Sequence, residues 1–238
     1  MDAKYKRCLL KISGESLAGE AGYGFDQATI NSIAAQVAEI SRCGVQLGLV
    51  VGGGNVWRGL PAAEKSVMDR CTADNMGMLA TVMNGLYLRS AIEEKGVPCR
   101  VESAISMEPA APGFDLRRSI DFLEKGGVVI FAGGTGHPFF STDTAAALRA
   151  AEIRADVILM AKKVDGVYTA DPKTDPTARR IPRLSLLDVV QQQLRVMDLT
   201  AAAMCRDNSI PIVVFKIDRP GNMMKAVMGE DIGTTVEV

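Results

Sequence analysis

Three strand-like runs in this 238-residue chain, at 8–12, 46–51 and 128–131, stop abruptly at glycine-containing turns. Each precedes a segment with helical periodicity. The runs are apolar almost throughout instead of alternating, so both faces of each strand must be covered. Strands of this kind alternating with helices are the pattern of a mostly parallel sheet sandwiched between helix layers. The chain therefore reads as α/β. Ligands of such sheets sit beyond the carboxyl ends of the strands, and all three glycine turns fall there.

The remaining elements fit the same frame. Asp26 is placed to N-cap a helix running to Arg42, with Ile30, Ile33, Ala34, Val37 and Ile40 on one face and Gly44 just past its end. A long helix is expected from Ala73 to Lys95, closed by Gly96 and Pro98. Segments 99–101, 157–161 and 212–215 read as strands, and a last strand is expected to end at Val238. Segments 186–194, 201–208 and 222–228 read as helices. Segment 171–182, rich in Pro, Lys and Arg, reads as a loop. No repeat or low-complexity tract divides the chain. One domain is expected over 1–238, with approximate lobes at 1–150 and 151–238.

Composition narrows the function classes. With 47% hydrophobic residues the chain can bury a large core. A formal net charge of -1 leaves no basic excess for nucleic acid. No run approaches the roughly 20 apolar residues of a membrane span, and the first residues hold too short an apolar run for a signal peptide. The five cysteines are dispersed and form no CxxC pair. That favours reduced thiols in the cytoplasm over a disulfide framework or a zinc site. The single histidine, His137, argues against a His-based metal centre.

The turns carry the chemistry. In the stretch 128–144, Gly133, Gly134 and Gly136 bare the backbone, while Thr135, Ser141, Thr142 and Thr144 set hydroxyls around Asp143. Such a turn offers N–H groups to the phosphate of a small molecule, and the carboxylate can order a metal or a lysine. Lys11-Ile12-Ser13-Gly14 can place an ammonium and backbone donors on polyphosphate. Gly52-Gly53-Gly54, with Arg58 close behind, adds a bare backbone and a guanidinium fork. The segment 162–171 can hold a base and ribose, with Tyr168 stacking and Asp171 accepting from a sugar hydroxyl. Taken singly, each segment also fits an ordinary turn or a solvated loop. Neither GxxxxGK[ST] nor GxGxxG occurs, which removes a P-loop and a Rossmann dinucleotide site.

In order and at their spacing, seven segments resemble the amino acid kinase superfamily and, within it, the bacterial UMP kinases. They are LLKISGESL (9–17), GLVVGGGNVWRG (48–59), ADNMGMLATVMNGL (73–86), GTGHPFFSTDTAA (134–146), KVDGVYTADPKTDPTA (163–178), VMDLTA (196–201) and PGNMMKAVMGE (220–230). The resemblance implies transfer of the γ-phosphoryl group of ATP to UMP, giving UDP for pyrimidine biosynthesis. It implies Mg²⁺ carried with ATP and no dedicated protein metal site. It places Lys11, Ile12, Ser13, Gly14, Gly54, Arg58, Lys162, Tyr168 and Asp171 on ATP. It places Gly53, Asp74, Thr135, Gly136, His137, Pro138, Phe139, Phe140, Ser141 and Thr142 on UMP. Lys11, Arg58, Asp143 and Asp198 would act in catalysis. It also implies a homohexamer, with Met76, Met78 and Met83 as interface candidates. It implies GTP as an activator, with Gly19, Glu20, Ala21, Gly22, Tyr23, Gly24, Arg89 and Arg100 as allosteric residues, and UTP as an inhibitor.

The chain departs from that pattern at His137, where the family commonly has Asn, and at Lys162, where Thr or Asn is frequent. Glu93 and Glu124 stand where the effector surface is expected to be basic. Two other readings compete. One is a kinase of an amino acid or other small acid on the same fold, though the aspartate and glutamate kinases usually carry a further domain that is not expected here. The other is a non-catalytic nucleotide sensor, which Lys11, Arg58, Asp143 and Asp171 together disfavour.

Overall fold

The structure, a computed structural model, describes residues 3–57, 67–170, 172, 174–191, 194 and 196–238. Arg58 and Asp171 lie outside the described residues. From the N-terminus come β1 (Arg7–Ile12), a 3-10 turn (Gly14–Ala18), α1 (Gln27–Arg42), β2 (Gln46–Val51), α2 (Arg70–Glu94) and β3 (Cys99–Ser103). Then follow α3 (Leu116–Glu124), β4 (Val128–Ala132), α4 (Thr142–Glu152), β5 (Val157–Lys162), β6 (Val167–Tyr168), β7 (Arg180–Ile181) and β8 (Arg183–Ser185). The chain closes with α5 (Leu186–Gln191), α6 (Leu199–Asp207), β9 (Ile212–Lys216), α7 (Asn222–Met228) and β10 (Thr234–Glu237).

Eight strands form one sheet in the order β3-β4-β2-β1-β5-β9-β10-β8. Successive residues of β1 bury opposite faces. Cys8, Leu10 and Ile12 join the core beneath α1, α2 and α7, while Leu9 joins the core beneath α3, α4, α5 and α6. That two-sided burial is why the strands read as continuous apolar runs. The expected α/β sandwich is present, with one mixed edge: β10 runs antiparallel to β9, and β8 pairs parallel to β10.

Differences from the sequence reading have local causes. Helix α2 begins at Arg70, not Ala73, because Asp69 caps it by accepting from the Thr72 N–H at 2.9 Å and the Thr72 hydroxyl at 2.7 Å. Helix α6 likewise begins at Leu199, capped by Asp198. Part of the 171–182 segment is strand, since β7 pairs antiparallel with β6. Two-residue strands are too short to carry a periodic signal.

Glu102, at the carboxyl end of β3, is 1% exposed. It accepts from the Asp115 N–H at 3.2 Å, Arg118 Nε at 3.1 Å and the Ser119 hydroxyl at 2.7 Å. These bonds tie the start of α3 to the sheet. Glu102→Ala leaves three donors without their acceptor and is expected to lower the unfolding free energy by about 2 kcal/mol or more. Urea denaturation checks this, and a loss below about 0.5 kcal/mol would contradict the assigned anchoring.

Candidate active site

β4, β2, β1 and β5 are neighbours in the sheet, so their carboxyl ends bring the three glycine turns and Lys162 to one edge. Lys11, next to last in β1, reaches Asp143 Oδ1 with its Nζ at 2.7 Å; the two side chains are 12% and 18% exposed. Asp143 stands in the first turn of α4, where unpaired helix N–H groups favour a carboxylate. Ser141 caps that turn, its hydroxyl oxygen accepting from the N–H groups of Asp143 at 2.9 Å and Thr144 at 3.3 Å. The same hydroxyl donates to Asp198 Oδ2.

Asp198 is a crosspiece between two helix starts. It accepts from the Thr144 hydroxyl at 3.0 Å and 3.1 Å and from the Ala201 N–H at 2.8 Å, so it joins the N-termini of α4 and α6. Among the described residues its hydrogen-bond partners are hydroxyls and an amide, not a lysine. Lys162 closes β5, and its Nζ donates to the Val196 carbonyl. Burial pushes the Lys162 pKa below its ordinary 10.5, with Asp143 opposing that shift and Lys11 adding to it. Beneath the carboxylates, the Cys205 thiol is pushed up to about 12, by burial first and then by Asp143 and Asp198. It stays protonated and is no nucleophile near neutral pH.

The glycine turns need glycine for two reasons. Gly133, Gly134 and Gly136 have φ of 74°, 59° and 83°, in the left-handed region. At Gly14 the constraint is space, since a Cβ there would lie 2.4 Å from the Gly52 carbonyl oxygen. The turns after β1 and β2 are thus packed against each other. The Gly52 N–H also donates to the Ile12 carbonyl at 3.0 Å. Ile12 has a fully buried side chain, so only its backbone faces this edge.

A cleft of about 290 Å³ lies beside the Lys11–Asp143 pair, lined by Gly53, Gly54, Trp57, Arg70, Asp74, Gly77, Met78, Thr81, Gly134, His137, Phe140, Ser141 and Thr142. Asp74 accepts from Arg70 Nε at 2.7 Å and from the Phe139 N–H at 2.9 Å, so it holds the 133–142 loop against α2. The Arg70 guanidinium lies 5.5 Å from the Phe139 ring centre. Of the residues expected on the acceptor, Gly53, Asp74, His137, Phe140, Ser141 and Thr142 line this cleft. Thr135, Gly136, Pro138 and Phe139 shape the loop behind it; the Thr135 hydroxyl oxygen accepts from the His137 N–H at 3.3 Å. Trp57, Arg70, Met78 and Thr81 were missed by the sequence reading. Arg70 sits one helical turn before Asp74, a signal hidden by starting that helix at Ala73.

Of the residues expected on ATP, Ser13 and Gly14 follow Lys11 directly, while Gly54 lines the same cleft as Gly53 and packs near Glu15, whose Cγ would be 3.5 Å from an added Cβ. Tyr168 belongs to the small β6–β7 sheet and donates its hydroxyl to Asp165 Oδ1 at 2.7 Å. The expected effector residues fall in separate places. Gly19, Glu20 and Ala21 border a cavity of about 930 Å³ against α1. Gly22 and Tyr23 are exposed, and Gly24 pairs with Asn55. Arg89 lies on α2 with Nε 3.9 Å from Glu93, whereas Arg100 stacks over Phe122 at 4.1 Å.

A mostly parallel sheet that ends in three glycine turns around a lysine–carboxylate pair defines an α/β protein built to hold phosphate groups. Residues 6–216 match the amino acid kinase family. A UMP kinase structure from Bacillus anthracis is 40% identical over 98% of this chain and 96% of its own, with a TM-score of 0.94. One from Ureaplasma parvum is 39% identical over 99% and 100%, with a TM-score of 0.93. A uridylate kinase from Archaeoglobus fulgidus is 32% identical over 96% and 99%, with a TM-score of 0.72. The chain belongs to the amino acid kinase family and, within it, to the UMP kinases.

Lys162 gives a pH test. Its lowered pKa means that the folded state disfavours the charged form, so the penalty is fully present below that pKa and fades as pH rises toward the ordinary 10.5. Relative to Lys162→Met, the wild type should therefore gain thermal stability as pH rises through the range just below 10.5. Parallel melting curves across that range would contradict the assignment.

Proposed function

We propose that this chain transfers the γ-phosphoryl group of ATP to the phosphate of UMP, giving UDP. The observation that carries the reading is the Lys11–Asp143 pair, which joins the end of β1 to the first turn of α4, directly after Ser141 and Thr142 in the lining of the cleft of Asp74 and Arg70. The Bacillus anthracis, Ureaplasma parvum and Archaeoglobus fulgidus structures are UMP or uridylate kinases and match nearly the whole chain. In this reading residues 1–150 supply the acceptor side, with Asp74 on the ribose and the 134–142 loop around base and phosphate. Residues 151–238 supply the ATP side, with Lys162 on the phosphates and Tyr168 near the base.

The nucleophile is a phosphate oxygen that is already anionic, because the second pKa of a phosphomonoester is about 6. No side chain has to remove a proton. Catalysis then consists of holding two anions in line and neutralising charge that spreads over the transferred group. Lys11 supplies a fixed positive charge whose direction Asp143 sets. Backbone N–H groups of the β1 and β2 turns supply donors that are already oriented. Asp143 is the carboxylate nearest the two lysines, so the local donors suit phosphates and a metal that arrives with them. Mg²⁺ would enter on ATP and screen its β- and γ-oxygens.

The finer properties belong to the same reading. We assign assembly into a homohexamer and regulation by GTP and UTP as properties to be tested alongside turnover. Met83 and Leu79, exposed on α2, suit a subunit contact, whereas Met78 is turned into the cleft.

ATP consumption should be measured with UMP, CMP, dUMP, aspartate and N-acetylglutamate as separate acceptors, with and without Mg²⁺ and GTP. Turnover is expected with UMP and Mg²⁺; turnover confined to an amino acid would overturn the substrate assignment. Asp143→Asn keeps the shape but frees Lys11, and should lower kcat about a hundredfold, equivalent to about 3 kcal/mol. His137→Asn should lower kcat less than fivefold at pH 7, since the reaction as proposed moves no proton. A collapse in turnover with an intact fold would bring a histidine back into the chemistry.

A further inference from the structure

Two asparagines, 29 positions apart and absent from the expected site, form a closed amide pair beneath the glycine turns. Asn55 and Asn84 are both fully buried. Asn55 Nδ2 donates to Asn84 Oδ1 at 3.0 Å, and Asn84 Nδ2 donates back to Asn55 Oδ1 at 2.7 Å. The two remaining amide hydrogens leave the pair. Asn84 Nδ2 donates to the Gly52 carbonyl at 2.6 Å, and Asn55 Nδ2 donates to the Gly24 carbonyl at 2.9 Å. All four N–H bonds of the two side chains are therefore spent. The backbone repeats the second link, since the Gly24 N–H donates to the Asn55 carbonyl at 2.9 Å.

Stability alone is a weak reason for such a pair. Two apolar side chains of the same shape would fill the space with no amide to desolvate, against the loss of the donors to the Gly52 and Gly24 carbonyls. What apolar residues could not do is fix the direction of a peptide. The Gly52–Gly53 bond is trans, so its N–H points opposite to its carbonyl. With the Gly52 carbonyl held by Asn84, the Gly53 N–H must face away from the pair, and Gly53 lines the acceptor cleft. Glycine has no side chain to bias that peptide, so an outside clamp is needed. The same carbonyl is the atom against which Gly14 packs, with Asn55 Oδ1 only 2.7 Å from where a Gly14 Cβ would stand. One amide pair thus contacts the β1 turn, the β2 turn, the 19–24 loop and the helix that bears Asp74.

We infer that Asn55 and Asn84 are positioning residues for phosphoryl transfer, setting the Gly52–Gly53 peptide so that its N–H serves the phosphates. They touch no reacting atom and act through that peptide. The inference rests on the kinase reading for its chemistry, but the peptide geometry can be read without turnover.

The test uses the full-length enzyme with Asn84→Asp, and the double variant Asn55→Leu with Asn84→Leu. The double variant keeps the volume and removes every polar group of the pair, leaving only the Gly52 and Gly24 carbonyls without their amide donors, so it should still fold, with a melting temperature lowered by several degrees. Its kcat should fall about tenfold to a hundredfold, while KM for either nucleotide changes less than about threefold. Asn84→Asp should lose kcat in the same way, and Asn84→Gln should not restore it, because the longer side chain displaces the amide. The second readout is amide hydrogen exchange and the ¹⁵N chemical shift at Gly24 and Gly53, which should change in both variants without added nucleotide. A folded double variant with wild-type kcat, or unchanged Gly24 and Gly53 signals, overturns the inference. If the wild type itself turns over no UMP, the substrate assignment fails instead, and the amide signals still decide the role of the pair.

Discussion

The contact on which this architecture depends is the ion pair between Lys11 and Asp143. It joins the end of the central strand β1 to the first turn of α4, two elements 132 positions apart (143 minus 11). Neither partner is free to choose its place. Lys11 is fixed by the register of β1 with β2 and β5. Asp143 is fixed by the Ser141 cap, which is itself held by Asp198. A lysine on a four-carbon stem is ordinarily a mobile charge. Here its direction is determined by a chain of hydrogen bonds that runs from α6 through α4 to the strand edge.

That arrangement leaves the edge electrically incomplete. Among the described residues, Asp143 pairs with Lys11 and is the carboxylate whose charge acts on Lys162, and burial works against the second positive charge. A polyanion entering the site would relieve that imbalance, and the charged form of Lys162 would then be favoured. The cost of holding two cations together is carried by the fold in advance, so little reorganisation is left for the moment of transfer. Asp74 works in the same way at the neighbouring cleft. It already holds Arg70 and the Phe139 N–H, so the wall of the cleft is in position before any ligand arrives.

Sequence made the sheet legible because two-sided burial writes itself as unbroken apolar runs. β1, β2, β4, β5 and β9 were all readable for that reason. Charged and glycine-bearing candidates such as Lys11 and Gly133 stood out because their chemistry is unusual at strand ends. What escaped had no local signature. β6, β7 and β8 are two or three residues long. Arg70 became visible only with the Asp69 cap, and Thr81 matters through a single bond at 2.8 Å to the Gly133 N–H. Asn84 lies in the middle of α2 among buried residues, where an asparagine reads as a weak helix former and no more.

The same comparison separates two kinds of specification. Side chains that carry charge to the ligand are set by sequence position on strong elements, such as Lys11 on β1. Backbone donors in glycine turns cannot be specified in that way, because glycine accepts many conformations and three in succession leave the peptide planes undirected. Their orientation has to be imposed by neighbours far away in sequence. Thr81 does this for Gly133, and Asn84 does it for Gly52. Both residues project from α2, as does Asp74, which holds the Phe139 N–H. One helix therefore sets the direction of peptides in two of the three glycine turns. This explains why α2 carries polar residues on a face that packing alone would fill with apolar ones: its buried surface aligns backbone donors and acceptors as well as filling the core.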